Sequence, residues 1–586
     1  VMDGKGAVKR GTNQNTYQVP ILLLTAFFLI FYLLSFRFLI DDAFITFRYS
    51  SHLAAGYGLV FNVGGERVEG YSNFLWMAIL ALCRRLGFDI VGAAKTLQDL
   101  CAAAAIPITA LCYRAAAGKD RQVWQVGPVA ASALLVVNLS FLVCTQMGLE
   151  TALFALLVIT GTWRFLIEEE EVRFPWSGLV FAMAAMTRPE GFIFPCIIVF
   201  RAVLMKLVLR RPVRYSVQWT VAFAGIYVPY FAWRWTYFGH LFPNTYYAKV
   251  KTSTVANLIA GLRYCMGYIC GYGWRNINPA TAPMRWVAVV PAFLTIPSCK
   301  DPKRLLLLGV AGGYVSFIAL SGGDWMPYNR FFANIAPVLA ILAVMGVEDA
   351  ARWCLAKRLA GPSAIRSAAG VMIGLMVAGS VWIPDSPFHI YPVRGTGYAI
   401  CHPSYIADQI RLIEGKKPRF DQRIGEWMKD RYPPDSLFST ELAGALPYYS
   451  GLPTLDTFGL NSTKIADLIR YGTAEDVASY VLDVKPAIFS MAIQSQNGGT
   501  GHQFGSPYDK AVFVSPEFRR LYSIDAVHRV KVGYKGYEEM WVTFFVLNPN
   551  PPPTQNQSPF TLDDISAFAD LGRDVYVYDA RSALFR

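Results

Sequence analysis

Long apolar runs separated by short polar loops fill the first 384 positions of the chain. The first run, residues 19–36 (VPILLLTAFFLIFYLLSF), follows Lys5, Lys9 and Arg10. Further runs lie at residues 91–113, 123–144, 150–167, 176–187, 190–209, 216–236, 284–298, 305–320, 332–347 and 367–384. A helix needs about 20 apolar residues to cross a bilayer, and loops rich in Lys and Arg stay in the cytoplasm. The pattern therefore predicts a polytopic α-helical membrane protein with about eleven transmembrane helices.

One apolar run does not fit this series. Residues 73–90 (NFLWMAILALCRRLGFDI) are amphipathic, carry Arg84 and Arg85, and are too short to cross well. If they crossed, every later basic loop would fall on the wrong side of the membrane. We therefore expect an interfacial helix here. The acidic run at 168–171 (EEEE) is an exception among the inward loops, which is tolerable because acidic residues weigh little in the charge rule.

The polarity pattern changes after Pro384. Residues 385–586 combine short β-rich runs, at 486–494 (PAIFSMAIQ) and 540–548 (MWVTFFVLN), with helical stretches such as 422–432 (QRIGEWMKDRY). This pattern predicts a C-terminal soluble α/β domain, which the last helix would place outside the cell. We expect two units: a transmembrane catalytic domain at 1–384 and an extracytoplasmic domain at 385–586 that covers the outward ends of the helices.

Composition supports the membrane assignment. Of the 586 residues, 54% are hydrophobic and only 16% are charged, and the mean hydropathy is +0.33. The net charge of +13 comes mainly from short loops between apolar runs, as expected when Lys and Arg set the topology. Since no basic patch interleaved with aromatic residues occurs, nucleic acid is not an expected partner.

Charged residues of both signs gather at the outward ends of the predicted helices. They are Asp41, Asp42, Glu66, Arg67, Glu69, Glu150, Arg188, Glu190, Lys249, Asp324 and Arg330. A carboxylate at such a place can act as general base on a hydroxyl, and Arg and Lys can hold a phosphate leaving group. This pattern favours an active site at the membrane surface that uses a lipid-anchored phosphate donor.

Five segments carry a resemblance to a known family. They are 41–76 (DDAFITFRYSSHLAAGYGLVFNVGGERVEGYSNFLW), 148–154 (GLETALF), 187–191 (TRPEG), 242–249 (FPNTYYAK) and 322–331 (GGDWMPYNRF). Together they resemble the GT-C glycosyltransferases, in particular the branch with the mycobacterial enzyme that adds terminal arabinofuranose. The likeness covers roughly residues 20–350, and 442–461 (LAGALPYYSGLPTLDTFGLN) also recurs in that branch.

The resemblance implies a function and a place in the cell. The chain would transfer a sugar, with arabinofuranose as one candidate, from a polyprenyl-phosphate donor to a cell-envelope glycan or glycoprotein. It would lie in the bacterial inner membrane, with the active site and the C-terminal domain on the extracytoplasmic side. No cofactor is required, and a divalent metal is allowed but not indicated.

The resemblance also implies roles for individual residues. Asp41 and Asp42 are the catalytic candidates, with Asp41 as the first choice of base because the first acid of the pair has that role in related enzymes. Lys249 and Arg330 would bind the donor phosphate. The full set of substrate-binding candidates is Arg48, Glu66, Glu69, Glu150, Arg188, Glu190, His240, Asn244, Lys249, Asp324, Trp325 and Arg330.

Structural interpretations of these residues stay open. The acidic pair can cap a helix, and Glu150 can start one. Arg188 can pair with Glu190 in a salt bridge, and His240 is as often structural as functional. For Lys249 and Arg330 the structural alternative is contact with lipid phosphates.

Two other functions are alternatives to glycosyl transfer. A transporter or assembly scaffold for lipid-linked glycans would place ionisable groups near the middle of the membrane and often show internal repeats, and neither feature is seen. An oligosaccharide transferase with a pyrophosphate donor would need a divalent metal, for which Asp41, Asp42 and Glu150 could supply ligands.

Overall fold

Helices dominate the first two thirds of the structure, a computed structural model. The residues it describes are 18–35, 39–117, 126–171, 173–208, 210, 214–249, 254–270, 290–298, 301–324, 326, 329–383, 398–399, 420–496, 502–504, 506–534, 537–552, 558–570 and 574–579. Trp325, the basic residues ahead of the first helix, and the predicted domain boundary after Pro384 lie outside this set.

Most helices of the N-terminal part overlap the predicted apolar runs, but those at Asp41–Ala54, Asn244–Lys249 and Thr254–Cys270 do not. The helices are α1 (Gln18–Ser35), α2 (Asp41–Ala54), α3 (Phe74–Arg85), α4 (Ile90–Ala117), α5 (Gly127–Val136), α6 (Leu139–Cys144), α7 (Thr151–Glu171), α8 (Trp176–Thr187), α9 (Ile193–Leu207), α10 (Arg214–Phe238), α11 (Asn244–Lys249), α12 (Thr254–Cys270), α13 (Pro302–Ser321), α14 (Arg330–Ala333), α15 (Ala336–Ala356) and α16 (Pro362–Val381). Short 3-10 turns lie at Pro189–Phe192 and Ile296–Ser298.

Several of these helices suit a membrane. Within the described residues, α4, α7 and α13 are long and apolar enough to cross one, while α1, α5, α8 and α16 contain shorter apolar segments. By contrast, α3 has 12 residues and is therefore about 18 Å long, well short of the roughly 30 Å of a hydrocarbon core. The prediction that this segment is too short to cross agrees with its length.

One predicted helix is divided in two. The apolar run at 123–144 forms α5 and α6, with a break between Val136 and Leu139. The side chain of Asn138 accepts a hydrogen bond of 2.9 Å from the Phe141 N–H, so it caps a new helix. The polar side chain of Asn138, which interrupts the apolar run, thus also caps the helix that follows.

The acidic run at the end of α7 is neutralised one residue at a time. The Oε1 of Glu168 lies 2.8 Å from the Nε of Arg164. Glu168 also accepts hydrogen bonds from Ser177 and Tyr215. The other pairs are Glu169 with Arg201, Glu170 with Lys303, and Glu171 with Arg173. These pairs connect the end of α7 to α8, α9, α10 and α13. The exception to the charge rule is therefore an acidic cluster with its own counter-ions.

We expect Glu169→Ala to destabilise the helical part by about 2–3 kcal/mol, because it removes two 2.7 Å hydrogen bonds from Arg201, a buried guanidinium. Unfolding in mixed micelles would measure the loss. Glu171→Ala is the matched control, since both members of its pair with Arg173 are exposed and such pairs contribute about 0–1 kcal/mol. Equal losses in the two variants would contradict this ranking.

Residues 420–579 form a sheet with helices on both faces. The strands are β3 (Phe438–Thr440), β4 (Thr454–Asp456), β5 (Ile488–Gln496), β6 (His502–Phe504), β7 (Tyr522–Tyr534), β8 (Tyr537–Leu547) and β9 (Val575–Asp579), after a short pair β1 (Trp382–Ile383) and β2 (Tyr398–Ala399). The helices are α17 (Phe420–Arg431), α18 (Ala445–Ser450), α19 (Thr463–Tyr471), α20 (Ala474–Val484), α21 (Pro507–Phe513), α22 (Pro516–Leu521) and α23 (Leu562–Asp570). The strand order is β4-β3-β5-β8-β7-β9, with β6 beside β5.

Side chains alternate across this sheet. Ile488 and Phe544 contribute to a cluster with α17 and α18, whereas their neighbours Phe489 and Phe545 face a cluster with α20, α21 and α22. The strands β3, β4 and β5 run parallel, and β8 runs antiparallel to β5 and β7. Because β3 ends at Thr440, the loop that follows it carries Gly444 and α18 towards the first helices.

Candidate active site

Asp41 and Asp42 are the first two residues of α2, where the helix dipole favours negative charge. Successive residues of a helix point about 100° apart, so the two carboxylates face different partners. Asp41 accepts hydrogen bonds from the N–H groups of Gly444 (3.0 Å) and Ala445 (2.8 Å). Asp42 lies 3.6 Å from the Nζ of Lys249. The pair therefore joins the C-terminal residues on one side to a cation on the other.

Gly444 makes the contact with Asp41 possible. A Cβ at this position would lie 1.9 Å from the backbone oxygen of Asp41, so no other residue fits without a shift of the backbone. Together with the bonds to Asp41, this fixes α18 against the start of α2. Phe44 of α2 also packs against the rings of Tyr448 and Tyr449, with centroids 5.5 and 5.4 Å apart.

Burial raises the pKa of Asp41 to about 7. The hydrogen bond from Ala445 opposes this shift, and the neighbouring charges of Asp42 and Asp421 reinforce it. Burial also raises the pKa of Glu441, to which the charge of Asp41 contributes. The site thus holds a carboxyl group that gains and loses its proton near neutral pH, which suits a general base.

The shifted pKa predicts how contact with Gly444 and Ala445 responds to pH. The folded chain holds the Asp41 proton more tightly than the unfolded chain, in which the pKa is near 3.9, so this stabilisation is complete below about pH 4 and is lost as pH rises through about 7. The two hydrogen bonds by themselves favour the ionised carboxylate, but burial outweighs them, and the opening that exposes Asp41 to water also exposes both amides. We therefore expect exchange of these amides at pH 5.5, corrected for its intrinsic rate, to be about tenfold slower than at pH 8. Hydrogen exchange with mass spectrometry measures this; an equal pH dependence in Asp41→Asn would contradict the assignment.

A buried charge cluster lies beside the acidic pair. Arg188, between α8 and the following 3-10 turn, forms salt bridges with both Glu150 and Glu190. Asn73 donates a 2.7 Å hydrogen bond to Glu150, and it also bonds to Thr46 of α2. A continuous chain of contacts therefore links this cluster to the helix that starts with Asp41.

The same cluster continues to the opposite side. The hydroxyl of Tyr314 donates to Glu190 at 3.2 Å and accepts a 2.7 Å hydrogen bond from Asn334. The charges of both Arg188 and Arg330 act on the Glu150 carboxylate.

Arg330 begins α14, directly after Asn329, whose φ is 52°. Its Nε donates a 2.6 Å hydrogen bond to Asp324. The charges of Glu150 and Asp42 both act on Arg330. Lys249, which contacts Asp42, and Arg330, which pairs with Asp324, are the two cations here that can hold a phosphate group.

In the structure, each of six predicted substrate-binding residues forms an ion pair with another member of the set or with Asp42. They are Glu150, Arg188, Glu190, Lys249, Asp324 and Arg330.

The other predicted residues lie elsewhere. Arg48 donates to the backbone oxygens of Phe61 and Leu452 at 2.8 Å, and Asn244 donates to the backbone oxygen of Gly459 at 2.8 Å. Both therefore join the helical part to the C-terminal residues. We call the contact surface between residues 41–73 and Asn244 on one side and residues 444–480 on the other the seam.

Three further predicted residues make contacts of other kinds. Glu66 accepts hydrogen bonds from Thr463, and Glu69 forms a buried salt bridge with Arg234 of α10. The ring of His240 packs against Tyr247, with centroids 5.8 Å apart.

Sequence reasoning missed several residues that build the site. Asn73, Tyr314 and Asn334 hold its carboxylates, and Gly444 allows Asp41 to meet the C-terminal residues. Asn73 and Gly444 fall inside segments that carried the family resemblance, but neither is ionisable. Most of the predicted site residues were chosen for their charge, so these two were passed over. Among the described residues, no three His, Cys, Asp or Glu side chains are grouped so that they could hold a metal ion.

Comparison with known proteins places this geometry in a fold. A family model described as a domain of unknown function (DUF8728) matches residues 408–545. No curated protein matches the chain. Among solved structures, ArnT from Cupriavidus metallidurans bound to undecaprenyl phosphate aligns at a TM-score of 0.51 and 12% identity, covering 90% of this chain and 98% of ArnT.

Two further structures show the range of these likenesses. The archaeal oligosaccharyltransferase AglB from Archaeoglobus fulgidus, in complex with an inhibitory peptide and a dolichol-phosphate, aligns at a TM-score of 0.51 and 12% identity, over 87% of this chain and 80% of AglB. The arabinofuranosyltransferase AftD from Mycobacteria gives a TM-score of 0.46 and 11% identity, over 91% of this chain and 40% of AftD. ArnT and AglB are GT-C glycosyltransferases, so the predicted resemblance is confirmed at the level of the fold. The chain therefore shares the GT-C fold, and its described residues include three helices long and apolar enough to cross a membrane.

Proposed function

We propose that the chain is a glycosyltransferase that moves a sugar from a polyprenyl-phosphate donor to a cell-envelope glycan. The observation that carries the proposal is the placement of Asp42, directly beside Asp41, 3.6 Å from the Nζ of Lys249. A base candidate and a phosphate-binding candidate thus lie at the same helix start, and Arg330 is the second candidate for the phosphate. The lipids named with ArnT and AglB, undecaprenyl phosphate and a dolichol-phosphate, support a polyprenyl phosphate as the carrier.

In the proposed reaction Asp41 is the base. A hydroxyl group of the acceptor approaches from the side of the C-terminal residues and gives its proton to Asp41 as its oxygen bonds to the anomeric carbon. The bond between that carbon and the phosphate oxygen breaks, and the polyprenyl phosphate leaves with the electron pair. Lys249 and Arg330 stabilise the growing charge of that phosphate, where ionic hydrogen bonds are strong.

Asp42 has a different role in this proposal. Its contact with Lys249 holds the ammonium group near the place that the phosphate takes. The Glu150–Arg188–Glu190 cluster supports Arg330 from the buried side. Asp41 would contact the acceptor, whereas Asp42 would order the cations that contact the donor.

The proposed arrangement in the membrane follows the sequence. About eleven helices within residues 1–384 would cross the bacterial inner membrane, and residues 385–586 would form a soluble α/β domain on the extracytoplasmic side. The acidic pair would then lie at the outer surface, where a lipid-linked sugar can enter sideways from the bilayer. The contacts of Asp41 with Gly444 and Ala445 support an acceptor site between the two parts.

The test uses the full chain in lipid nanodiscs. It is given radiolabelled polyprenyl-phosphate arabinofuranose, with the mannose and glucose analogues in parallel, and either arabinan oligosaccharides or acceptor peptides. We expect label to pass to an oligosaccharide while free polyprenyl phosphate accumulates. Failure to consume any of the three donors would contradict the proposal. Movement of intact lipid-linked glycan across a liposome membrane would instead support a transporter.

A further inference from the structure

The seam contains a cavity away from the acidic pair. Its volume is about 130 Å³, and it opens between the loop that follows α2 and the start of the C-terminal sheet. Asn62 and Glu66 line it from the helical part, and Ser462 and Tyr480 line it from the C-terminal part. We call it the seam cavity. Neither half of the chain forms this cavity alone.

The walls of the seam cavity are held in place before any ligand binds. Asn62 exchanges two hydrogen bonds with the backbone of Thr454, at 2.8 and 2.9 Å. Asn461 donates from its backbone and its side chain to Asp456, at 2.9 and 3.0 Å. Glu66 is fixed by Thr463, which donates from its N–H at 3.2 Å and from its hydroxyl at 2.7 Å. A prearranged wall lowers the entropic cost of binding.

The chemistry of the lining favours a neutral ligand rich in hydroxyl groups. No Lys or Arg is among the residues that line the cavity, so a phosphate would find no counter-charge there. Each oxygen of the Glu66 carboxylate accepts one of the bonds from Thr463, which leaves further lone pairs for hydroxyl donors. Ser462 adds a hydroxyl, and Tyr480 an aromatic ring. The carboxylate and the hydroxyl suit the hydroxyl groups of a sugar, and the aromatic ring suits its apolar face.

The position of the cavity relates it to the acidic pair. Asn62 accepts a hydrogen bond of 3.2 Å from Arg48, which lies on the same helix as Asp42. Arg48 comes six residues after Asp42, a rise of about 9 Å along that helix. The contact between Arg48 and Asn62 therefore connects the wall of the cavity to the helix that begins with the acidic pair.

We infer that the seam cavity binds a sugar residue of the acceptor glycan, away from the end that receives the new sugar. This inference rests on the proposed function and names the acceptor as an oligosaccharide and not a protein. An acceptor long enough to reach both places would be held at two points, whereas a disaccharide would be held only near Asp41. The enzyme would then prefer long acceptors because of contacts remote from the reacting hydroxyl.

The test compares acceptor lengths in the full chain. Arabinofuranose oligosaccharides from a disaccharide to an octasaccharide are offered to the wild type and to Tyr480→Ala. We expect the ratio of kcat/KM for the octasaccharide to that for the disaccharide to fall about tenfold, the loss of one aromatic contact with its buried area. Glu66→Gln, which removes the charge but not the shape, should lower the same ratio, and Tyr480→Phe should lower it less than Tyr480→Ala.

The matched control is Tyr471→Ala, a tyrosine on α19 that is 74% exposed and does not line the cavity. Thermal unfolding checks that Tyr480→Ala and Glu66→Gln are folded. A ratio equal to that of the wild type in both of these folded variants would overturn the inference. A general loss of stability would lower both rate constants together and leave the ratio unchanged.

A binding experiment separates this inference from the proposed function. Saturation-transfer NMR detects the octasaccharide on the full chain without donor. We expect the signal to persist in Asp41→Asn and to weaken in Tyr480→Ala. If no donor is ever consumed but this pattern holds, the glycan site stands and the proposed reaction fails. If donor is consumed and the octasaccharide binds equally to wild type and Tyr480→Ala, the reaction stands and the cavity has no such role.

Discussion

Replacing Asp41 by Asn is expected to lower kcat for sugar transfer by about 10²–10⁴-fold, the usual contribution of a general base. The amide has nearly the same size as the carboxyl, so the helix start is kept, although its single acceptor oxygen can accept only one of the two hydrogen bonds from Gly444 and Ala445. It cannot take a proton from the acceptor hydroxyl. Binding of the polyprenyl-phosphate donor should persist, because Lys249 and Arg330 are untouched. Single-turnover rates with labelled donor would measure the loss.

The pH dependence strengthens this test. Since the pKa of Asp41 is about 7, kcat/KM of the wild type should rise as pH increases through that value and then level off. In Asp41→Asn that rise should disappear. Asp435→Asn is the matched control, because Asp435 is an exposed carboxyl outside the site and its loss should change neither rate nor profile.

Asp42→Asn separates the roles of the two acids. If Asp42 orders Lys249, its amide should raise KM for the donor and leave the pH profile of Asp41 visible. Full transfer by Asp41→Asn at neutral pH would exclude Asp41 as the base. A profile that disappears in Asp42→Asn but survives in Asp41→Asn would assign the base to Asp42.

The second large effect is expected at Arg188. Changing it to Met should destabilise the chain by about 3–5 kcal/mol, because Glu150 and Glu190 would both remain buried without their counter-ion. Transfer should be lost as well, since Arg330 would face an uncompensated cluster. Unfolding in mixed micelles and the transfer rate report the two losses separately.

A triple variant distinguishes folding from function at this cluster. Replacing Glu150 and Glu190 by Gln in the Arg188→Met chain removes all three charges at once, and neutral replacement of a buried ion network is often tolerated. We expect most of the stability to return and transfer to remain absent. The matched single control is Arg85→Met, an exposed arginine on α3. Recovery of transfer in the triple variant would mean that the cluster is only structural.

The helices were the part of the fold most open to prediction from sequence. The apolar run at 91–113 corresponds to α4, and that at 150–167 to α7, because an uninterrupted apolar run has few other ways to satisfy its backbone in a bilayer. The break at Asn138 was not predicted, although an Asn before a new apolar run is a known helix start. The long apolar run at 123–144 favoured a single helix, although it contains this polar residue.

The site was predicted only in part. Charges at outward helix ends identified Glu150, Arg188, Lys249 and Arg330, because ionisable residues near a membrane need a reason to be there. The bonds from Gly444 and Ala445 to Asp41 join positions more than 400 residues apart, with sequence separations of 403 and 404. No local pattern encodes such a contact. It depends on how the sheet presents one loop, which only the three-dimensional structure defines.

The acidic residues at the end of α7 have a consequence for synthesis of the chain. Glu169 is made 32 residues before Arg201, and Glu170 is made 133 residues before Lys303 (303 − 170). At about 5–20 residues per second, the first partner follows within about 2–6 s and the second only after about 7–27 s. During that interval Glu170 lacks its counter-ion, whereas Glu168 and Glu171 already have Arg164 and Arg173. The salt bridge between α7 and α13 therefore forms late in synthesis, after the pairs that lie within or next to α7.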